Sequence, residues 1–194
     1  MGEIVATARP RNSRSSRGRN LLAGLALGLA LLPVLSLPAS ADCADVPAPG
    51  VDWRRCQFFG NDFSDRDFTG ANFQSASLSN TNFENAQLDG LDGRRVHFVA
   101  AKMSGASLAG ADLRDADFTS ADLSGASLAK ADMRRGRFYG TVFRNADLTG
   151  ARLDNADLLN ADLSGATWID GKTVCDEGSI GQCRLKRTKA PGPA

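Results

Sequence analysis

Large apolar residues recur every five positions through the central part of this chain, in a single phase from Val51 to Asp170. Of the 24 central positions, 23 are Leu, Phe, Met or Trp, and 15 of the residues two places earlier are Ala. Only Gly93 interrupts the series. We number each pentad so that the large residue stands at position 3, as Trp53 does in Val51-Asp52-Trp53-Arg54-Arg55.

A period of five excludes a lone soluble helix, because each step of five residues turns the side chain by about 140° and leaves no polar face. A straight strand is excluded as well, because successive pentads would point their large residues to opposite sides. The chain must therefore turn once per pentad. The last residue is Gly or Asn in 14 of 24 pentads, and these residues accept the positive φ of a type II turn. The pattern predicts a solenoid.

The pattern A(D/N)LXX, as in Ala71-Asn72-Phe73, Ala121-Asp122-Leu123 and Ala161-Asp162-Leu163, resembles the pentapeptide repeat family and covers about 120 of 194 residues. The resemblance implies an all-β, right-handed quadrilateral β-helix with four pentads per coil and about six coils. Positions 1 and 3 would face inward. It implies little about function, because members range from DNA-mimicking topoisomerase (gyrase) inhibitors to proteins of no known activity.

The first 41 residues are typical of an export signal. A basic region with five arginines precedes an apolar run from Leu21 to Leu32, and Ala39-Ser40-Ala41 forms a small-residue cleavage site. An uncleaved anchor is the alternative, but the apolar stretch Leu21–Leu37 contains Pro33 and is barely long enough to span a membrane. We expect a periplasmic or secreted protein with no membrane span in its mature chain.

The predicted organisation has five parts. They are a signal peptide (1–41), an N-terminal cap (42–52), the solenoid (53–170), a C-terminal disulfide cap (171–183) and a disordered basic tail (184–194). From Asp42 onward the chain has 18 basic and 21 acidic residues, a net charge of −3. This near-neutral balance opposes the strongly acidic surface that a DNA mimic needs.

Four cysteines lie at the two ends of the repeat: Cys43, Cys56, Cys175 and Cys183. Their number and an exported chain favour disulfides over a metal site, since the spacing does not suit zinc. Three pairings are open in principle. Six coils at about 4.8 Å each would separate the two clusters by about 29 Å, so only Cys43–Cys56 and Cys175–Cys183 are geometrically easy. We expect these segments to close the solenoid, with Trp53 and Trp168 as bulky plugs.

Residues 20 apart should stack, which brings seven arginines to one edge of the solenoid. This arginine edge consists of Arg54, Arg55, Arg94, Arg95, Arg114, Arg134 and Arg135. It could bind an anionic polymer, because Arg makes forked contacts with phosphate and carboxylate. Alternatively, the aspartates at position 2 of the same pentads neutralise it and the ladder is only surface structure.

The next face carries a second candidate surface. Its position 4 column contains the apolar residues Phe59, Val99, Tyr139 and Leu159, which we call the apolar column. Exposed apolar residues in register predict an interface for a protein partner or for a second copy of the chain. Singly exposed apolar residues are normal, however, and form the competing explanation.

We predict no catalytic residue, metal or cofactor. The lone histidine, His97, should point to solvent, and a convex wall offers no deep pocket. The predicted function is a non-enzymatic, exported scaffold or binding module for a protein or an anionic polymer, with no nucleic acid partner. The alternative, by family analogy alone, is a DNA-mimicking topoisomerase (gyrase) inhibitor.

The break at Gly93 has two explanations. In the first, Leu91 at position 1 supplies the volume that Gly93 lacks, and the pentad stays in the wall. In the second, residues 91–95 loop out of the wall. We favour the volume exchange.

Overall fold

The structure is a computed structural model that describes residues 43–185. The predicted signal peptide and residues 186–194 of the predicted tail lie outside this range. Residues 43–185 contain no helix and no strand longer than one residue, and the wall consists of single bridge residues separated by turns. Within this range no helix is long and apolar enough to cross a membrane.

Bridges between residues 20 apart build the wall. Position 2 of each pentad pairs in parallel with position 2 of the pentad four places on, as in Asp52 with Asn72 and Asn72 with Asp92. Four such columns exist, each with six residues. We call them faces 1 to 4, and their first members are Asp52, Gln57, Asp62 and Asp67. The predicted four-sided coil of 20 residues is therefore confirmed.

The corners of the solenoid from Arg55 to Gly165 share one backbone conformation. Position 5 has a φ between 54° and 72° in each pentad from Arg55 to Gly165. The predicted turn also closes as expected, for example through the 2.9 Å bond from the Ala71 amide to the Phe68 carbonyl. Nine corners hold neither Gly nor Asn and still adopt positive φ: Arg55, Asp65, Ser75, Arg95, Ala100, Asp115, Ser120, Lys130 and Arg135. The inter-coil bonds impose this conformation on residues that do not favour it.

The core is a column of position 1 and position 3 side chains. Phe98, Phe118 and Phe138 stack with ring centroids 5.1 and 5.3 Å apart, as the 20-residue coil predicts. At the N-terminal end Trp53 is buried, and its ring lies within 5.4 Å of four phenylalanine rings. This cluster confirms Trp53 as an end plug.

The pentad 91–95 lies in the wall. Asp92 bridges Asn72 on one side and Asp112 on the other, and Leu91 is fully buried. A Cβ added at Gly93 would stand 3.2 Å from Leu91 Cδ2 and 2.9 Å from Leu113 Cδ2. The volume exchange is confirmed, because Leu91 occupies space that a large residue at position 93 would need.

The aspartates and asparagines at position 2 have a structural role. The amides of positions 2, 3 and 5 donate backbone hydrogen bonds to neighbouring coils, and the amide of position 1 closes the turn; Asn72, Phe73, Ser75 and Ala76 are examples. The amide of position 4 takes no part in this backbone pattern. In 13 pentads the side-chain oxygen of Asp or Asn at position 2 accepts a bond from this amide. The A(D/N)LXX pattern therefore satisfies the backbone as well as the core.

Two disulfides tie the ends, with the predicted pairing of Cys43 to Cys56 and of Cys175 to Cys183. The C-terminal cap closes less than we expected. Its antiparallel bridges, Thr167–Val174 and Asp162–Ile180, extend faces 4 and 3 only. Leu158 on the last coil of face 2 is only partly buried, and Trp168 is likewise only partly buried. Trp168 packs against the core at this end, as expected of a plug, but it covers the end only in part.

Candidate functional site

The arginine edge forms on face 1 because of the repeat geometry. Positions 2 and 4 of one pentad both project outward, so an aspartate and an arginine two residues apart become neighbours. Four pentads contain this combination, and in each the arginine bonds to its own aspartate. The pairs are Arg54–Asp52 at 2.6 Å, Arg94–Asp92 at 2.7 Å, Arg114–Asp112 at 2.6 Å and Arg134–Asp132 at 2.7 Å.

These pairs are two-pronged and connected along the face. In Arg94, for example, Nε donates to Asp92 Oδ1 at 2.8 Å and Nη2 donates to Oδ2 at 2.7 Å. Longer contacts of 3.8 and 3.9 Å link Arg94 to Asp112 and Arg114 to Asp132 on the next coils. The position 4 arginines therefore belong to the neutralised ladder that the sequence left open as the alternative.

The ladder shifts the titration of its carboxyl groups. Hydrogen bonds from the arginine of the same pentad hold the pKa of Asp52, Asp92 and Asp132 below the usual value for aspartate. Partial burial opposes this shift in all three but does not reverse it. These three carboxyl groups therefore remain negatively charged at pH values well below neutral.

The corner arginines of the edge differ from one another. Arg135 donates to both oxygens of Asp115 on the preceding coil, at 2.8 and 2.9 Å. Arg95 donates a 3.3 Å hydrogen bond from Nε to Ser75 Oγ, and its positive charge contributes to lowering the pKa of Asp115 on the next coil. Arg55 has no side-chain bond or ion pair within residues 43–185. Within residues 43–185, Arg55 and Arg95 are therefore the two of the seven arginines that form no ion pair with a carboxylate.

One pentad of face 1 borders the arginines but was not among the predicted site residues. Ala71-Asn72-Phe73-Gln74-Ser75 carries no charge, whereas the other five pentads of this face all do. It lies between the coils that hold Arg54-Arg55 and Arg94-Arg95. The signal was present in the sequence as the interruption of an otherwise charged column.

The apolar column is exposed at its two ends, but it is less exposed and interrupted by polar residues in the middle. Phe59 is 77% exposed on the first coil, and Tyr139 and Leu159 are 45% and 61% exposed on the last two. Val99 is only half-buried, and Ser79 and Thr119 occupy the coils on either side of it. Tyr139 and Leu159 therefore lie on neighbouring coils, whereas Phe59 lies at the other end of the column.

His97 lies on face 2 in a column with Asp117 and Arg137. Its Nδ1 is 4.0 Å from Asp117 Oδ2, and Arg137 donates to the same oxygen. Asp117 is 7% exposed; burial raises its pKa, but bonds from Thr119 and the charges of Arg137 and His97 lower it by more. Thr119 Oγ1 donates to Asp117 Oδ1 at 2.6 Å, so this hydroxyl is bonded to the aspartate and not to His97.

Comparison with known proteins identifies the repeat. A family model described as pentapeptide repeats matches eight copies over residues 67–92, 97–135 and 137–167. The chain belongs to the pentapeptide repeat family. No curated protein matches this chain.

Several solved structures of pentapeptide repeat proteins are similar to this one. Rfr23 from the cyanobacterium Cyanothece 51142 has 19% identity and a TM-score of 0.51, over 60% of this chain and 90% of its own. HetL from Nostoc sp. strain PCC 7120, involved in heterocyst differentiation regulation, has 29% identity and a TM-score of 0.40, over 63% and 70% of the chains. QnrB1, a plasmid-mediated fluoroquinolone resistance protein, has 24% identity and a TM-score of 0.41, over 61% and 63%. The likeness to Rfr23 shows the fold alone.

Proposed function

We propose that this protein is a non-enzymatic, exported solenoid of about six right-handed coils that serves as a scaffold or binding module outside the cytoplasm. Its partner would be a protein or an anionic polymer. The observation that carries the proposal is the pair of disulfides, one at each end of the repeat. Such bonds persist in oxidising compartments and are rare in the cytosol, which agrees with the export signal expected in residues 1–41.

The outward carboxylates support a role without catalysis. A general acid or base needs a carboxyl group that can exchange a proton with a substrate. On this wall the position 2 aspartates accept bonds from the position 4 amides, and several also accept a Ser or Thr hydroxyl, as Asp122 does from Ser124 at 2.6 Å. One oxygen of each of these carboxylates therefore serves to hold the wall together.

The arginine edge opposes the topoisomerase alternative. A DNA mimic would present rows of unneutralised carboxylates. On face 1 the position 2 carboxylates of four coils are bonded to arginine instead, and the chain from Asp42 onward has a net charge of −3. At 24% identity and a TM-score of 0.41, the likeness to QnrB1 carries no functional argument.

Cell fractionation tests the proposal. We expect the protein in the periplasm or the medium, with an N-terminus at or near Asp42 and two intact disulfides by mass spectrometry. A cytosolic protein that retains Met1 and free thiols would refute it. A supercoiling assay with purified topoisomerase provides the second arm, since inhibition at stoichiometric concentration would favour the alternative.

A further inference from the structure

The uncharged pentad 71–75 lies between two pairs of arginines on consecutive coils of face 1. Bridges from Asp52 to Asn72 and from Asn72 to Asp92 place the three pentads in register. The flanking pentads end in Arg54-Arg55 and Arg94-Arg95, whereas the central one ends in Gln74-Ser75. Amide and hydroxyl groups therefore form a neutral floor between two positively charged borders.

Of the two arginines in each border, only the one at the corner forms no ion pair with an aspartate. Arg54 and Arg94 each use Nε and Nη2 to bind the aspartate of their own pentad. Arg55 has no side-chain partner within residues 43–185, and the one hydrogen bond of the Arg95 side chain goes to a neutral hydroxyl. Asp115, whose carboxylate interacts with the charge of Arg95, is bonded through both oxygens to Arg135. The arginine charge of face 1 that forms no ion pair is therefore that of Arg55 and Arg95.

The backbone projects these two side chains from the same corner of the solenoid. Arg55, Ser75 and Arg95 have φ values of 61°, 59° and 56°, so their Cα–Cβ bonds leave the corner in parallel directions. Two coils separate the arginines by about 10 Å at the spacing of β-strands. Arg95 leans toward the level of Arg55, because its Nε donates to Ser75 Oγ one coil away. Ser75 accepts that bond, and its own proton is left to donate outward.

We propose that Arg55 and Arg95 together bind a phosphate group above Ser75. This inference rests on the proposed function and names its ligand. A phosphate has several acceptor oxygens in a tetrahedral arrangement, so it can accept from two guanidinium groups and a hydroxyl at once. Elsewhere on the edge an anion would first have to displace an aspartate, as at Arg114 or at Arg135.

Amide NMR on the purified, disulfide-bonded protein tests the site, with inorganic phosphate as the probe and chloride at equal ionic strength as the reference. We expect saturable shifts at the amides of Gln74, Ser75 and Arg95. Arg55→Gln and Arg95→Gln should each weaken binding by about tenfold, the usual effect of losing a charge-assisted bond. Arg114→Gln is the matched control, because it removes an arginine that is already paired, and it should change affinity less than about twofold.

A second arm identifies the source of the phosphate. Vesicles of phosphatidylglycerol and phosphatidylcholine are compared with phosphatidylcholine alone in sedimentation assays. Arg95-dependent sedimentation with the anionic vesicles would indicate a lipid headgroup, and binding of inorganic phosphate alone would indicate a soluble ligand. Three results would overturn the proposal. They are an absence of amide shifts, shifts that spread over all faces, and a reduction of the shifts by Arg114→Gln as large as that by Arg95→Gln. None of these outcomes changes the fractionation result, so the proposed function can fail or stand independently.

Discussion

Moving the large residue from position 91 to position 93 tests how the core accommodates the one irregular pentad. Leu91 is fully buried at a position where 15 pentads have Ala, and Gly93 replaces the usual large residue. The double variant Leu91→Ala/Gly93→Leu restores the regular pattern. Each single change should be costly, whereas the second should partly correct the first.

The structure gives the expected size of each effect. Leu91→Ala removes a buried side chain and should lower the free energy of unfolding by about 2–5 kcal/mol. Gly93→Leu alone adds atoms where even a Cβ stands 3.2 Å from Leu91 Cδ2, at a cost of about 1–3 kcal/mol. In the double variant the contact with Leu91 is gone. The remaining close contact is the 2.9 Å distance between a Cβ at position 93 and Leu113 Cδ2, and this Cδ2 atom is the end of a flexible side chain that can move. We expect a favourable coupling of roughly 1–3 kcal/mol.

Chemical denaturation of the four proteins, followed by tryptophan fluorescence and circular dichroism, measures this coupling. Leu113→Ala, at a regular buried position on the next coil of face 1, is the control for an ordinary core truncation and should cost a similar amount. Additivity of the two single changes within about 0.5 kcal/mol would refute the exchange of volume between the two positions. So would a Leu91→Ala variant that unfolds within about 0.5 kcal/mol of wild type.

Three other predictions concern the termini, the ladder and the corners. Peptide mapping without reduction should link Cys43 to Cys56 and Cys175 to Cys183, and any peptide that joins the two ends would contradict the fold. Stability should fall as the pH drops below about 4, because Asp52, Asp92 and Asp132 have pKa values lowered by their arginines in the folded state; a denaturation midpoint unchanged between pH 7 and pH 2 would count against the ladder. Ala100→Gly should be neutral or stabilising by up to about 1 kcal/mol, since Ala100 has a φ of 54°. Ala109→Gly, outside the positive-φ corners, should destabilise by about 0.5–1 kcal/mol; equal midpoints for the two variants would show that the corner backbone is not strained.

The fold could be predicted from the sequence because a five-residue period has few physical solutions. The alternation of Ala and Leu at positions 1 and 3 determined which side chains face inward, and stacking at 20 residues placed Phe98 above Phe118. The corner conformation was predictable at Gly and Asn but not at Arg55 or Ala100. At these two residues the backbone hydrogen bonds to neighbouring coils override the usual preference of the residue for negative φ. This effect is not visible in the sequence of one pentad, because the bonds depend on the coils beside it.

The ends and the arginine edge were harder to predict for a related reason. The segment 171–183 has no repeat, so the sequence indicated that it closes the solenoid but not that its bridges extend only faces 3 and 4. The edge was visible as a column of arginines, but whether an arginine binds an aspartate depends on side-chain direction. Position 4 arginines reach the aspartate of their own pentad, and corner arginines must find a partner on another coil, as Arg135 does and Arg55 does not.

The wall itself explains why departures from the repeat are the places to seek function. Each regular pentad leaves one backbone amide, that of position 4, facing outward, and an Asp or Asn at position 2 satisfies it in 13 pentads. Most outward polar groups are therefore used to hold the solenoid together, however suggestive they look in the sequence. Groups that are not used in this way include the uncharged Gln74-Ser75, the exposed Leu159 and Arg55, whose side chain has no partner within residues 43–185. A ligand that binds this wall without unfolding it should contact such positions, which is why a variant of Arg55 tests function and a variant of Asp112 or Arg114 tests mainly stability.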